Sequence, residues 1–235
     1  MRRKSILSKN ATSNCSPRYR SLYCCVMGRV KDNKIISLGP DHKILIDGPA
    51  IQDNDVFGWK DMTANMSSGR GTGASAPSWA AFRGNIEALE FSAGTMNEVF
   101  ITFHPNHDII EGENFYPHIH WSPNGTGTGT VRWGIEYSIA KGFDQEAFPE
   151  PTTIYVEHEI TTNSQYRHLI SEVTDAQAIP MPEVDSLVLL RIFRDAAHAN
   201  DDFASTVFGL TADLHYRSGK FNTVGKRPDF NLPDE

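Results

Sequence analysis

Alternation of apolar and polar residues with a period of two recurs along most of the chain, and it constrains the fold more than any other feature. Apolar Val131, Trp133 and Ile135, for example, are separated by Arg132 and Gly134. Such alternation is typical of a β-strand with one buried face, and no window has the pattern of a long amphipathic helix. Roughly nine to eleven strands, separated by breaks that contain Pro and Gly, predict an all-β fold, a jelly-roll-like antiparallel β-sandwich.

The clearest strand patterns begin at Trp79 and follow one another at short intervals. They are residues 79–84, 86–91, 98–104, 116–122, 130–140, 153–161, 166–173, 186–195 and 206–218. Loops are predicted at 195–205 and at 65–77, where a Gly/Ser/Ala-rich stretch is a weak candidate for anion binding. Two further apolar runs within 34–47 flank a turn at Gly39-Pro40.

The composition limits the classes of partner. The 235 residues are 39% apolar and carry a net charge of −7 at pH 7. This suits a single β-sandwich and disfavours duplex nucleic acid, whose phosphates require a basic protein surface. No apolar run approaches the roughly 18 residues that a membrane span requires. We therefore predict neither a nucleic-acid partner nor a membrane partner.

The first 26 residues differ from the rest of the chain. They contain basic residues but no acidic ones, and they hold all three cysteines, Cys15, Cys24 and Cys25. The remainder therefore has no disulfide framework. Three interpretations remain open: a targeting peptide, a basic arm, or a stretch upstream of a true start at Met27 that is not part of the mature protein.

The chain is predicted to divide into three parts. The basic segment at 1–26 is followed by a single β-sandwich domain at 27–221. The last part, 222–235, is polar and interrupted by prolines, which predicts an extended C-terminal arm that lies on a neighbouring molecule.

His118 and His120 are the first candidates for chemistry. Residues i and i+2 of a strand point to the same side, so both imidazoles share the face opposite Ile119. Neutral imidazole is a common ligand of transition metals. His215 is an available third ligand on a late strand, with Asp213 beside it on the same face. The three histidines are therefore a candidate metal site, within one chain or at a subunit interface; the alternative is a polar sheet face whose histidines bond to their neighbours.

The spacing of the first two histidines also resembles part of a known motif. Gly112, His118 and His120 match the opening of the first cupin motif, G-x5-H-x-H, but the glutamate that this motif requires is missing from 121–125. A cupin-like metal-binding protein or enzyme would hold a transition metal, and a substrate, in the barrel around these histidines. We predict a protein without a cofactor, and a cupin-like protein with a bound transition metal is the alternative.

Other polar residues favour structural roles. His104 and His107 are predicted to cap a turn, and His158 to be a hydrogen-bonded core residue. Glu157 and Glu159 share one face of a strand, as is typical of a face exposed to solvent. No serine or cysteine lies in a sequence context that would make it a nucleophile. We therefore predict no catalytic residues. A glycan-binding attachment module remains a further alternative, and it requires exposed rings among the four tryptophans, Trp59, Trp79, Trp121 and Trp133.

The chain resembles a family of uncharacterised structural proteins of tailed bacteriophages and prophages from about Trp59 to Phe230. The resemblance is carried by an H…YPHIHWSP block, a W-G-I-E-Y strand and the ending G-K-R-P-D-F, which lie in 107–123, 133–137 and 225–230. It implies a non-enzymatic virion protein, such as a head decoration, collar or tail component, present in the host cytoplasm during assembly.

The same resemblance implies partners. The protein is expected to form a homo-oligomer, a trimer or larger ring, and to contact other virion proteins. Candidate interface residues are Trp121, Arg194, Asp213 and Phe230. The position of Trp121 on the face of Ile119, however, also indicates a core residue.

Overall fold

The computed structural model describes two compact units, residues 1–56 and residues 57–235. The described residues are 25–30, 34–38, 44–47, 58–69, 71, 73–110, 112–219, 223, 225–228 and 230. Residues 1–24, with Cys15 and Cys24, lie outside them. Among the described residues, no helix has the length and apolar character that crossing a membrane would require.

The first unit contains a small sheet of its own. Its strands are β1 (Cys25–Val30), β2 (Lys34–Leu38) and β3 (Ile44–Asp47), paired antiparallel in the order β1-β2-β3. In the described part of the chain these early strands pair with one another, and the first strand of the second unit is at Gly58–Asn65, whereas a single domain was predicted over 27–221.

The second unit is built almost entirely of strands. They are β4 (Gly58–Asn65), β5 (Ser78–Arg83), β6 (Ile86–Phe91), β7 (Asn97–Phe103), β8 (Asn114–Pro123), β9 (Gly129–Lys141), β10 (Thr152–Ile160), β11 (Leu169–Glu172), β12 (Ile179–Pro180), β13 (Ser186–Arg194) and β14 (Val207–Ser218). Single 3-10 turns cover Met66–Gly69 and Asp175–Gln177. All nine strand patterns from Trp79 onward correspond to strands, whereas β4 and β12 were not predicted.

The strands form two antiparallel sheets in the order of a jelly roll. The first sheet is β11-β8-β14-β6-β5, and the second sheet is β10-β9-β13-β7. Along the chain, β6 to β11, β13 and β14 are distributed between the sheets as two interlocked Greek keys require. The predicted antiparallel β-sandwich is thus confirmed. β4 pairs with β14 beyond the point where β6 ends, and so extends the first sheet.

The core lies between the two sheets and is rich in aromatic rings. The ring of Trp133 on β9 lies 5.2 Å from that of Phe91 on β6 and 5.9 Å from that of Trp121 on β8. Val131 and Ile135, at the alternate positions of β9, are also fully buried. His158 on β10 hydrogen-bonds to Ser171 at 3.2 Å, in line with its expected role beside the core.

Asp108 ties β4 to β14 at the edge of the first sheet. Its carboxylate accepts hydrogen bonds from Lys60 on β4 and from Tyr216 (3.1 Å) and Ser218 (2.8 Å) on β14. Burial raises the pKa of this carboxyl group, but the three hydrogen bonds and the Lys60 charge lower it by more, so the pKa of Asp108 lies below its ordinary value. The ionised form therefore stabilises the folded chain.

We expect Asp108→Asn to lower the free energy of unfolding by about 1.5–3 kcal/mol at pH 7, because it removes hydrogen bonds to a charged group. A depressed pKa contributes stability above the unfolded-state value of about 3.9 and loses it as the pH falls through the folded-state value. The difference between the two proteins should therefore shrink below about pH 4. Urea unfolding at pH 7 and pH 3 measures this, with Asp144→Asn as an exposed control; an equal difference at both pH values contradicts the expectation.

Candidate functional site

Strand register gathers imidazoles and carboxylates on the outer face of the first sheet. Asp213 on β14 is opposite His118 on β8, and Glu172 on β11 pairs with the same histidine from the other side. Asp61 on β4 is opposite His215 on β14. Because side chains alternate along each strand, these groups point away from the buried face. We refer to His118, His120, His215, Asp61, Glu172 and Asp213 as the histidine cluster.

The three histidines that the sequence singled out lie together in this cluster. The ring centroid of His118 is 4.8 Å from that of His120 and 4.1 Å from that of His215. Nε2 of His118 and Nε2 of His120 approach the same oxygen, Oδ2 of Asp213, at 3.4 Å and 3.1 Å. Two triads within the cluster have the compactness of a metal site, one of His118, His120 and Asp213 and one of Asp61, His118 and His215.

His118 is the most enclosed member of the cluster. It is 2% exposed, and its Nδ1 has no hydrogen-bond partner among the described residues. Burial lowers the pKa of His118, and the neighbouring His215 and His120 lower it further than Asp213 and Glu172 raise it. The imidazole is therefore neutral at physiological pH, which is the form that binds metals.

His120 is close to Asp213 but poorly aligned with it. Its Nε2 is buried and, although the carboxylate oxygen is near, the contact lies outside hydrogen-bond geometry. On its other side, Nδ1 of His120 lies 2.6 Å from Nε2 of His168, so one of these nitrogens donates a hydrogen bond to the other. Oδ1 of Asp213 accepts a weaker hydrogen bond from Thr211 at 3.3 Å.

His215 is held differently from the other two histidines. Its Nδ1 lies 2.7 Å from Oε1 of Glu172, and its Nε2 lies 2.6 Å from Oδ1 of Asp61. Both nitrogens thus face carboxylates that are themselves nearly half exposed. His215, which the sequence offered as a third ligand after His118 and His120, is therefore less available as a ligand than those two.

Three members of this neighbourhood were missed by sequence reasoning. Asp61 lies on β4, whose polar alternation gave no strand signal, and His168 and Glu172 lie at β11. The segment 166–173 was predicted as a strand, but only its antiparallel pairing with β8 shows that it lies beside His118 and His120.

The direction of the side chains bears on the cupin-like alternative, which expects the histidines around the interior of a barrel. On β8, Ile119 and Trp121 face the core, and on β14 Leu214 does so; each is fully buried. The histidines alternate with these residues and lie on the opposite face of the sheet. The side chains of Ile119, Trp121 and Leu214 occupy the interior at these strands.

The predicted interface residues lie mostly inside their own chain. Trp121 is fully buried and donates from Nε1 to Oγ of Ser171 at 2.9 Å. Arg194 is also fully buried and binds Asp201 through two nitrogens. Neither side chain has exposed surface with which to contact a second chain, which corrects the interface role expected of them. Asp213 belongs to the histidine cluster.

The described part of the C-terminal arm contacts its own chain. Phe230 is buried, and its ring lies 5.9 Å from that of His107 and 6.0 Å from that of Phe143. The backbone N–H of Thr223 donates to the carbonyl of His107 at 2.8 Å. At these residues the arm lies against the sandwich of the same molecule, and its contact with a neighbour stays a prediction.

Two other candidate features have limited support. Trp59 and Trp79 are 55% and 50% exposed, whereas Trp121 and Trp133 are buried, so only the first pair could stack on a glycan. The Gly-rich loop borders a cavity of about 90 Å³ that is lined in part by Glu98. A carboxylate at this position disfavours the anion binding that the loop suggested.

Comparison with known proteins adds little. No model of a known protein family matches the sequence, and no curated protein matches it. Among solved structures, the chain is similar to the catalytic unit of a thermostable GH87 alpha-1,3-glucanase from Streptomyces thermodiastaticus, with a TM-score of 0.32 and 8% identity. The match covers 72% of this chain but only 28% of the glucanase chain. A likeness this weak carries no argument about activity.

Proposed function

We propose that this chain is a non-enzymatic structural protein of a phage virion, which assembles with copies of itself into a trimer or larger ring. The observation that carries the assembly part of this proposal is the outer face of the second sheet. Phe100 on β7, Leu189 on β13 and Tyr155 on β10 are 50%, 37% and 39% exposed there. Single exposed apolar residues are ordinary, but several on the same face of one sheet favour an interaction surface.

The residues between these apolar side chains have the composition of an interface core. Phe100 pairs across strands with Arg191, and Leu189 pairs with Thr102. The ring of Phe193 lies 6.1 Å from that of Tyr155. Aromatic residues and arginine are enriched at the centres of protein–protein interfaces and dominate their binding energy. We call this surface, which contains Phe100, Tyr155, Leu189 and Phe193, the aromatic face.

The charges of the aromatic face are already paired within the chain. Arg191 donates to Glu98 and Glu136 and lies over the ring of Phe193. Burying an unpaired charge is costly, whereas a charge that keeps its partners can be covered with a smaller penalty. The face can therefore be covered by a second copy without requiring new partners for this arginine.

Arg132, at the other end of the face, is paired in the same way. It donates to Asp195 and Glu157 and lies 3.9 Å over the ring of Tyr155. A contact between the aromatic face and a different surface of the next copy would keep these pairs intact, and such heterologous contacts form a ring when the rotation between copies closes.

The virion part of the proposal is supported by the resemblance to phage structural proteins from about Trp59 to Phe230. The jelly roll is consistent with it, because viral capsid domains use this architecture, but so do lectins and cupins. Fold alone therefore does not select among these functions.

We expect the purified protein to have the mass of a trimer or larger ring in light scattering, and Leu189→Lys to shift it towards the monomer. The new charge would be buried without a partner at the centre of the contact. Ile86→Lys is the matched control, since Ile86 is an equally apolar and more exposed residue outside the aromatic face, and it should leave the mass unchanged. A monomeric wild-type protein, or an oligomer that tolerates Leu189→Lys, would rule out assembly through this face.

A further inference from the structure

We propose that His118, His120 and Asp213 bind one divalent transition-metal ion, with the preferences of zinc, on the outer face of the first sheet. This site goes beyond the proposed assembly function and does not depend on it. Two imidazoles with one carboxylate form a ligand set that zinc and similar ions use, with further positions left for water or another donor.

The spacing of the ligand atoms fits a tetrahedral ion. Ligands that lie about 2.0–2.2 Å from zinc at the tetrahedral angle are about 3.3 Å from one another. Oδ2 of Asp213 lies 3.4 Å from Nε2 of His118 and 3.1 Å from Nε2 of His120. Two of the three ligand–ligand distances therefore match those around a tetrahedral ion, and all three ligand atoms lie within 4.8 Å of one another.

The hydrogen bonding of the ligands leaves their metal-facing atoms available. Metal-binding histidines typically donate their second ring N–H to an acceptor, which fixes the tautomer. Nδ1 of His120 lies 2.6 Å from Nε2 of His168. When His120 donates in this bond, its Nε2 carries a free lone pair towards Asp213. His168 is then a positioning residue for the site.

The histidines have few other partners for these atoms. Nε2 of His120 is buried near Asp213 without an aligned hydrogen bond. Buried polar atoms that lack partners are costly, so a group that satisfies them is favoured. An ion between the two imidazoles and Oδ2 of Asp213 would replace a misaligned contact by coordination bonds.

The surroundings favour a cation. Asp61 and Glu172, at the exposed rim of the histidine cluster, add two carboxylates to that of Asp213. Both nitrogens of His215 are occupied by the carboxylates of Asp61 and Glu172. An ion with two positive charges would therefore enter a region of negative potential.

The test is isothermal titration of the full-length protein with zinc chloride. Thiolates bind zinc, so the titration is made with Cys15, Cys24 and Cys25 changed to serine. We expect about one ion per chain. We expect Asp213→Asn and His120→Gln each to weaken binding by at least about tenfold, and His168→Gln by about tenfold through loss of positioning. Cobalt binding should give the absorption spectrum of tetrahedral coordination.

Two controls keep the test decisive. His104→Gln, which removes an exposed histidine on the loop after β7, should not change the affinity. His215→Gln distinguishes the two possible triads, because it belongs only to the one with Asp61. His118 is avoided as the main variant because its burial makes misfolding a risk, and circular dichroism without metal verifies the fold of the others.

Three results would overturn the proposed site. The first is a wild-type protein that does not bind zinc. The second is a variant Asp213→Asn or His120→Gln that folds and binds zinc as the wild type does. The third is loss of binding in His215→Gln with retention in Asp213→Asn, which would assign the ion to the other triad.

Discussion

Arg194→Met is expected to lower the free energy of unfolding by about 3–5 kcal/mol, since it leaves a buried carboxylate without its partner. Arg194 contacts Oδ1 and Oδ2 of Asp201 at 2.7 and 3.0 Å, and both side chains are inaccessible to solvent. The guanidinium also donates to the carbonyls of Phe203 and Ser205. It therefore anchors the loop between β13 and β14, and urea unfolding at neutral pH measures the loss.

Arg191→Met is the matched control on the same strand, with both variants made in the Leu189→Lys background so that the aromatic face is not covered by a second copy. Arg191 pairs with Glu98 and Glu136, but these groups remain partly exposed to solvent. Solvent-exposed ion pairs contribute about 1 kcal/mol or less. Similar losses for the two variants would show that burial of the Arg194 pair does not determine its contribution.

We expect Trp121→Ala to lower the free energy of unfolding by about 3–5 kcal/mol, because it removes a large buried aromatic side chain. The indole is fully enclosed between the sheets, where it contacts the rings of Trp133 and His158. The substitution leaves a cavity and removes the hydrogen bond from Nε1 to Ser171. The loss should appear as a lower midpoint in both thermal and urea unfolding.

Trp59→Ala provides the comparison for this prediction. Trp59 is 55% exposed and packs edge-on against Tyr116. Its replacement by alanine should therefore lower the free energy of unfolding by less than about 1 kcal/mol. If Trp59→Ala proved as destabilising as Trp121→Ala, the assignment of Trp121 to the core and of Trp59 to the surface would be contradicted.

Most of the sandwich could be predicted from the sequence because its strands carry their own signal. In β9 and β8, apolar residues on one face of the strand supply the core, and the alternation is visible without knowledge of any partner strand. β4 lacked this signal, since most of its side chains are exposed or half-buried. It is a strand because β14 and Asp108 hold it in place, and these contacts are distant in sequence.

The histidine cluster was only partly predictable for the same reason. The i, i+2 spacing placed His118 and His120 on one face, and the alternation of β14 placed His215 and Asp213 on one face. Whether the two faces coincide depends on which strands are neighbours and on their register. A shift of one residue between β8 and β14 would turn Asp213 away from His118.

The sequence by itself determined the all-β class, the positions of nine strands and the two sides of each strand, because side-chain alternation is a local property of extended backbone. Only the tertiary structure decided that the histidines face outwards, that Asp213 lies between two of them, and that Trp121 and Arg194 are enclosed. These features depend on pairing between strands that are far apart in the chain. The alternation within one strand does not show which strand it pairs with, or in which register.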